Sequence, residues 1–257
     1  MSRALLEVRG LARSFYGVRA LAGVDLDVRA GTITALIGPN GAGKTTAFQC
    51  ISGVVPPDAG RVLLGGRDIT GWRADQVTRA GLTRTFQVAR GIPRLSVIDN
   101  LLLYAPDQPG ERLLSALLGS RRAEREALGR AFSIADRLGL ARVANNPASD
   151  LSGGQKKLLE IGRALMAQPK LILLDEPVAG VNPTLAEAIA GHLRRLRDDG
   201  MTFLVIEHHM DLIARLCDPV IVMAEGARLT EGSFAEVAAD PRVQEAYMGV
   251  RRERRWA

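Results

Sequence analysis

The chain has 257 residues, 47% of them hydrophobic, which is enough to bury a sizeable core in one large α/β domain or in a core with an inserted subdomain. Its net charge is +6, but only four of its 34 basic residues are lysines and the arginines are scattered, so composition alone favours a solvated surface over a nucleic-acid or membrane patch. The sequence shows no signal-peptide pattern and no apolar run near the roughly 18 residues of a membrane span. Its two cysteines are far apart, which excludes a zinc-binding spacing and favours a reduced, cytoplasmic setting.

Two segments near the start alternate apolar and polar side chains, at residues 4–9 and 24–29. This period of two is typical of strands with one exposed face, and it predicts an antiparallel layer beside the strand that follows. Phe15 and Tyr16 lie between the two segments. An aromatic ring just upstream of a phosphate loop could stack on a nucleotide base, although Phe15 could equally belong to the core.

A glycine-rich loop then follows an apolar run at residues 33–37 and precedes a segment that can continue as a helix. It matches the phosphate-loop pattern G-x-x-x-x-G-K-S/T in its strand–loop–helix setting, which favours a phosphate cradle over a turn that only caps a helix. Its backbone N–H groups and the helix N-terminus favour an anion. We expect Lys44 to bridge the β- and γ-phosphates of a nucleoside triphosphate and the Thr45 hydroxyl to bind Mg²⁺. The loop consists of Gly38, Pro39, Asn40, Gly41, Ala42, Gly43, Lys44, Thr45 and Thr46.

The middle of the chain changes character from strands to helices. Residues 61–65 and 82–87 have the composition of strands, with a short helix predicted at 74–80 between them. Residues 96–141 are largely helical by the spacing of their apolar side chains, with an interruption around the prolines at 106 and 109. We interpret this region as a helical subdomain inserted into the α/β core.

The stretch Leu151-Ser-Gly-Gly-Gln155 opens the next helix. Ser152 and Gln155 have the spacing of a capping box, which is a sufficient structural role for both residues. Two glycines at a helix start also leave backbone N–H groups accessible, so the same segment is a candidate anion site.

Residues 171–176 are a continuous apolar run that ends on Asp175 and Glu176. Such a run is typical of a strand buried on both faces of a parallel sheet, and its C-terminal end points into the crevice where ligands bind. In phosphate-loop enzymes the first acid holds Mg²⁺ and the second takes a proton from the attacking water. Asn182 followed by Pro183 predicts the start of a helix that runs to about residue 198.

The next buried strand, at residues 202–206, is followed by His208 and His209. A histidine in this position could reach a γ-phosphate, whereas an isolated one would more often be a surface residue. A hairpin around residues 225–226 and helices from 234 to 248 close the chain, which ends in an arginine-rich cluster at 251–256.

In this order, the motifs resemble those of an ATP-binding-cassette ATPase along essentially the whole chain. The resemblance depends on the phosphate loop, Gln87, the LSGGQ stretch, the pair of acids and His208. It implies an α/β fold with a P-loop NTPase (RecA-like) core, an antiparallel β layer and an inserted α-helical subdomain. The implied division places the core at 1–87 and 168–235, the helical subdomain at 88–167, and C-terminal helices with the basic tail at 236–257.

The resemblance also implies a role for each site residue. Two cassettes would form a head-to-tail dimer with two ATP molecules at the interface, each contacting the phosphate loop of one protomer and the LSGGQ segment of the other. Glu176 resembles the general base and His208 the residue that senses the γ-phosphate. Gln87 resembles the residue that contacts Mg²⁺ and relays ATP binding to the helical subdomain, and Phe15 the aromatic that stacks on adenine. The residues implied to contact ATP in trans are Ser152, Gly153, Gly154 and Gln155.

Within this family the sequence is most similar to the branched-chain amino acid uptake branch, notably at 83–87, 96–101, 175–183 and 240–249. It departs from that branch at His209, where an aspartate is usual. Urea and amide importers and the lipopolysaccharide export ATPase share much of the pattern and remain alternatives. So does a soluble cassette ATPase that acts on nucleic acid, although the two cassettes, long coiled coil or zinc-binding cysteines usual in that class are missing.

The implied partners are a second ABC ATPase subunit, identical or not, transmembrane permease subunits and, indirectly, a substrate-binding protein, with no nucleic acid expected. The chain would then work at the cytoplasmic face of the membrane as a peripheral subunit.

Overall fold

The computed structural model describes residues 4–85, 92–106 and 121–248. The chain divides into two compact units, one drawn from Met1–Val77 and Arg197–Ala257 and the other from Thr78–Leu196. The predicted division into a core and a helical subdomain has its bounds at residues 87 and 168, and these differ from the bounds of the two compact units. The predicted division separates helices from strands, and it stays a prediction. The described elements in chain order are β1 (Ala4–Phe15), β2 (Val18–Arg29), β3 (Ile33–Ile37), α1 (Lys44–Ile51), β4 (Ala59–Leu64), β5 (Arg67–Asp68), α2 (Ala74–Ala80), β6 (Leu82–Arg84), α3 (Val97–Leu102), α4 (Arg121–Arg137), α5 (Gly153–Met166), β7 (Leu171–Asp175), α6 (Pro183–Asp198), β8 (Thr202–Ile206), α7 (Met210–Leu216), β9 (Val220–Ala224), β10 (Ala227–Gly232), α8 (Phe234–Ala239) and α9 (Pro241–Met248).

The first unit contains the predicted antiparallel layer, a sheet with the strand order β2-β1-β4-β5. Leu6 pairs with Val28 and Val8 with Leu26, and all four side chains are buried, as the alternation predicts. Both strands are longer than the alternating segments. Register shifts after Val8 break the period of two, so the sequence pattern ends before the pairing does.

The strand before the phosphate loop, β3, is buried at all five positions. It pairs in parallel with β8 on one side and with β9 on the other, which explains why these segments read as continuous apolar runs. Strands β9 and β10 form the predicted hairpin, antiparallel, with Ala224 paired to Ala227. The phosphate loop therefore leaves a rigid strand inside the first unit.

The second unit contains the helices α3 to α6 and the parallel pair β6–β7. Helices α3, α4 and α5 meet around Gly162, where a Cβ would lie 2.9 Å from Leu101, 3.0 Å from Leu138 and 3.4 Å from Ile134. The apolar side chains whose spacing predicted helices in this region are only partly buried. Ile134 and Leu138 are buried, whereas Leu128 and Phe132 are 40% and 45% exposed.

None of the helices among the described residues is both long and apolar enough to span a bilayer.

Candidate nucleotide site

The phosphate loop needs glycine at two positions because neighbouring backbone leaves no room for a side chain. Gly38 has φ +149°, and a Cβ there would lie 2.1 Å from the carbonyl oxygen of Met223 in β9. Gly43 has φ +96°, and its Cβ would lie 2.5 Å from the carbonyl oxygen of Ala20. Both φ values lie in the region that only glycine adopts freely. The loop backbone is therefore held closely against its surroundings at both ends.

Lys44 is folded back onto this loop. Its side chain is buried, and Nζ donates hydrogen bonds to the carbonyl oxygens of Gly38 at 2.7 Å and Pro39 at 3.0 Å. Asn40, Gly41 and Thr45 are exposed around it, and Gly43, the N-cap residue of α1, provides no side-chain cap. Backbone N–H groups of the first helical turn thus stay available for an anion. The loop therefore suits the phosphates of a nucleotide. It combines a buried ammonium, a helix start without a side-chain cap and glycines whose backbone no side chain covers.

Phe15 lies at the end of β1 and is half-buried, whereas Tyr16 is fully exposed in the turn that follows. The Arg13 guanidinium lies 4.9 Å from the centroid of the Phe15 ring and also forms an ion pair with Asp58. A cation covers one face of the ring, so a base can stack only on the other. Phe15 stays the predicted stacking residue.

Tyr247 in α9 is a further candidate that the sequence did not single out. Burial raises the pKa of its phenol, and a hydrogen bond with the backbone of Gly38 lowers it by a smaller amount. The last described helix therefore contacts the first glycine of the phosphate loop. No local pattern could reveal this contact, since more than 200 residues separate the two groups.

In the second unit, the LSGGQ segment forms the predicted capping box. Ser152 Oγ accepts from the backbone N–H of Gln155 at 3.3 Å, and Gln155 Oε1 accepts from the backbone N–H of Ser152 at 2.9 Å. Ser152 and Gly153 are exposed, while Gly154 is buried and a Cβ there would lie 2.3 Å from Leu185. The exposed face of the helix start is thus backbone and one hydroxyl, which is suited to a phosphate oxygen.

Asp175 ends β7 and Glu176 follows it, and the two acids lie in different environments. Asp175 is buried, and its Oδ2 accepts from Nη2 of Arg84 at 2.9 Å. Glu176 is partly exposed and adopts a left-handed backbone conformation with φ +50°. Lys157 Nζ donates to the Glu176 carbonyl oxygen at 3.4 Å. This backbone conformation costs free energy for any residue other than glycine. Such strained residues are concentrated at functional sites.

The segment after β8 is organised by a buried carboxylate. Glu207 is 2% exposed, and its Oε2 accepts from the backbone N–H of His208 at 2.6 Å, from that of His209 at 3.3 Å and from His209 Nδ1 at 3.0 Å. His208 itself is exposed. Glu207 therefore fixes the backbone that presents His208, a role that no local sequence pattern indicates.

His209 occupies the N-cap position of α7 but makes no side-chain capping hydrogen bond, because its ring contacts Glu207 instead. We expect His209→Ala to lower the free energy of unfolding by about 1 kcal/mol, since the ring contact is lost while two backbone donors to Glu207 remain. The contact is partly exposed, which keeps the effect small. His209→Asn should recover most of this loss, because asparagine is a preferred cap. Urea unfolding at an unchanged m value measures both, and two variants as stable as the wild type would contradict the prediction.

The two units carry different parts of the predicted site. The first contains the loop Gly38–Thr46, Phe15 and His208, and the second contains Ser152–Gln155, Asp175 and Glu176. Gln87 lies outside the described residues, so its placement stays a prediction. No group of three or more His, Cys, Asp or Glu side chains within 4–85, 92–106 and 121–248 could hold a metal ion by itself.

Comparison with known proteins agrees with this geometry. Residues 21–179 match the family "ABC transporter", and residues 227–253 match "Branched-chain amino acid ATP-binding cassette transporter". The Salmonella typhimurium high-affinity branched-chain amino acid transport ATP-binding protein LivG is 40% identical over 253 residues, which cover 97% of this chain and 99% of that protein.

Two solved structures of cassettes are similar along nearly the whole chain. The ADP conformation of MJ1267, an ATP-binding cassette of an ABC transporter, has a TM-score of 0.85 at 38% identity and covers 96% of this chain and 100% of its own. A dimeric post-hydrolysis structure of the cassette MJ0796 with ADP and Pi has a TM-score of 0.72 at 25% identity, over 89% of this chain and 98% of its own.

Proposed function

The chain belongs to the ABC transporter family as an ATP-binding cassette with ATPase activity, and from this premise we propose that it drives the uptake of branched-chain or related amino acids. The observation that carries the proposal is the similarity to LivG over 97% of the chain, which extends to the C-terminal segment at 227–253. That segment matches a family defined by branched-chain amino acid transport. Urea, amide and lipopolysaccharide systems are not favoured by these relatives.

In the proposed mechanism, the first unit holds the nucleotide. The Lys44 ammonium leaves the carbonyl oxygens of Gly38 and Pro39 to bind the β- and γ-phosphates. Backbone N–H groups at the start of α1 bind phosphate oxygens, and the free face of Phe15 orients the adenine. We assign phosphate binding to residues 38–46 for three reasons. The Lys44 ammonium is buried there, the helix start has no side-chain cap, and two positions of the loop admit only glycine.

Mg²⁺ would be held by the Thr45 hydroxyl and the Asp175 carboxylate, with Gln87 as an expected third contact. When bound, it would neutralise the charge that develops on the transferred phosphoryl group. Both protein groups are the hard oxygen ligands that Mg²⁺ prefers. Thr45 is exposed at the start of α1, and the Asp175 carboxylate has one oxygen, Oδ1, that Arg84 does not engage in the described hydrogen bond.

Glu176 is the proposed general base, which takes a proton from the attacking water. Its side chain is partly exposed directly after β7, and its backbone adopts a strained conformation of the kind that is concentrated at functional sites. His208 is the proposed contact to the γ-phosphate. Its backbone N–H donates to Glu207 Oε2, which holds the main chain that carries this exposed side chain. Substitution of Glu176 by glutamine tests the role of the general base.

A second cassette would complete the site. Ser152, Gly153, Gly154 and Gln155 would bind the γ-phosphate held by the loop of the partner, as the exposed hydroxyl and backbone at the start of α5 allow. The related cassette MJ0796 is dimeric in a post-hydrolysis state with ADP and Pi, which supports a partnership of two cassettes. The other partners would be membrane permeases, and the helices of the second unit would contact them. Leu128 and Phe132 are exposed on this unit and offer apolar surface for such a contact. The subunit would then bind peripherally to the cytoplasmic face of the membrane and serve a substrate-binding protein indirectly.

Uptake of labelled leucine by cells that lack this chain tests the proposal. We expect uptake of leucine, isoleucine and valine to fall to background, and to be restored by the wild-type chain but not by the Glu176→Gln variant. Glucose uptake in the same cells is the control and should be unchanged. Unaltered leucine uptake, or an ATPase activity stimulated by DNA without a membrane partner, would contradict it.

A further inference from the structure

The Asp175 carboxylate is held by an arginine on the neighbouring strand. Strands β6 and β7 are parallel, with Arg84 aligned to Leu173, and this register brings the Arg84 guanidinium within reach of the end of β7. Nη2 lies 2.9 Å from Asp175 Oδ2, and the two side chains are only 11% and 6% exposed. The pair is thus shielded from solvent, unlike the ion pairs that lie on the surface.

A carboxylate in such a place needs a positive charge beside it. Removal of an ionised carboxylate from water is costly, and attraction to a close, hydrogen-bonded cation compensates for it. In a cassette with nucleotide bound, Mg²⁺ would provide positive charge at this carboxylate. Without nucleotide, Arg84 already provides it.

We propose that Arg84 acts as a built-in counter-cation for Asp175 that keeps divalent metal out of the site until the metal arrives with ATP. The inference depends on the proposed role of Asp175 as a metal ligand. Arg84 is a positioning residue in this scheme, because it acts on the metal through Asp175.

Electrostatics explains why this exclusion would be conditional. A divalent cation that approaches Asp175 alone meets one carboxylate already neutralised by a guanidinium, and the two cations repel each other. The triphosphate carries several negative charges of its own, so a metal that arrives with ATP meets an excess of negative charge despite Arg84. The hydrogen bond uses Oδ2, and Oδ1 can serve the metal or its bound water.

Mn²⁺ binding to the full-length protein without nucleotide, followed by electron paramagnetic resonance, tests this inference. We expect Arg84→Gln to bind Mn²⁺ at least about tenfold more tightly than the wild type, because a repelling charge a few ångströms away is removed. Arg84→Lys is the matched control and should stay close to the wild type, since it keeps the charge. The double variant Arg84→Gln/Asp175→Asn should lose the gain.

Thermal unfolding without metal gives an independent readout. Arg84→Gln should lower Tm by roughly 5 °C or more, because a buried carboxylate loses its partner, and the double variant should recover much of this loss. Unchanged nucleotide-free Mn²⁺ affinity in Arg84→Gln, or a gain that persists in the double variant, would overturn the inference. Failure of the proposed metal role looks different: Asp175→Asn would then bind Mn²⁺ with ATP as tightly as the wild type.

Discussion

Glu176→Gln is expected to slow ATP hydrolysis by about a thousandfold or more while ATP binding is retained, which corresponds to about 4 kcal/mol of activation free energy. Glutamine has the size of glutamate but cannot take a proton from water. The side chain is partly exposed and its main chain is already in a strained left-handed conformation, so the substitution changes the chemistry and leaves the backbone as it is. Single-turnover hydrolysis and nucleotide binding by fluorescence separate the two effects.

The matched control for this variant is Glu124→Gln, the same charge change at an exposed position of the same unit. It should hydrolyse ATP at the wild-type rate. A Glu176→Gln protein that still turns over at a rate near that of the wild type would show that another group is the base.

Lys44→Ala is expected to reduce ATP affinity at least about a hundredfold, which corresponds to about 3 kcal/mol. The phosphates lose a charged donor in this variant. The hydrogen bonds that Lys44 makes to the carbonyl oxygens of Gly38 and Pro39 belong to the nucleotide-free protein, so their loss offsets only a part of this decrease. Equilibrium binding of a fluorescent ATP analogue measures the affinity.

Arg61→Ala removes one positive charge from an exposed strand position of the same unit and should bind ATP normally. It separates the specific contact of Lys44 from the effect of net charge. Near-normal affinity in the Lys44→Ala variant would refute the assignment of the loop as the phosphate cradle.

Features that depend on local signals were predicted well from the sequence. Asn182 Oδ1 accepts from the backbone N–H of Leu185 and caps the helix Pro183–Asp198, as the Asn-Pro pair indicated. The structure also confirms the capping box of Ser152 and Gln155 and the buried strands β7 and β8. Each was predictable because a few neighbouring residues determine it. The fold class is confirmed by the similarity to solved cassettes.

Features that depend on distant residues were not predictable in this way. Arg84 and Asp175 are 91 residues apart, and only the parallel pairing of β6 with β7 brings them together. The contact of Tyr247 with Gly38 has the same character. Leu128 and Phe132 show the other limit, because a helical period identifies an apolar face but does not show whether another element covers all of it.

The hydroxyl of Ser152 has a consequence for how quickly two cassettes can close. Its oxygen accepts the hydrogen bond that caps α5, while an O–H group also has a proton to donate. Capping and phosphate binding therefore use different ends of one group and do not compete. In the proposed dimer, the helix start would need no rotamer change or broken bond before it meets the γ-phosphate. The conformational entropy of the Ser152 side chain is then lost when the protein folds, and not when the dimer closes. Closure would begin from a surface already in its final conformation.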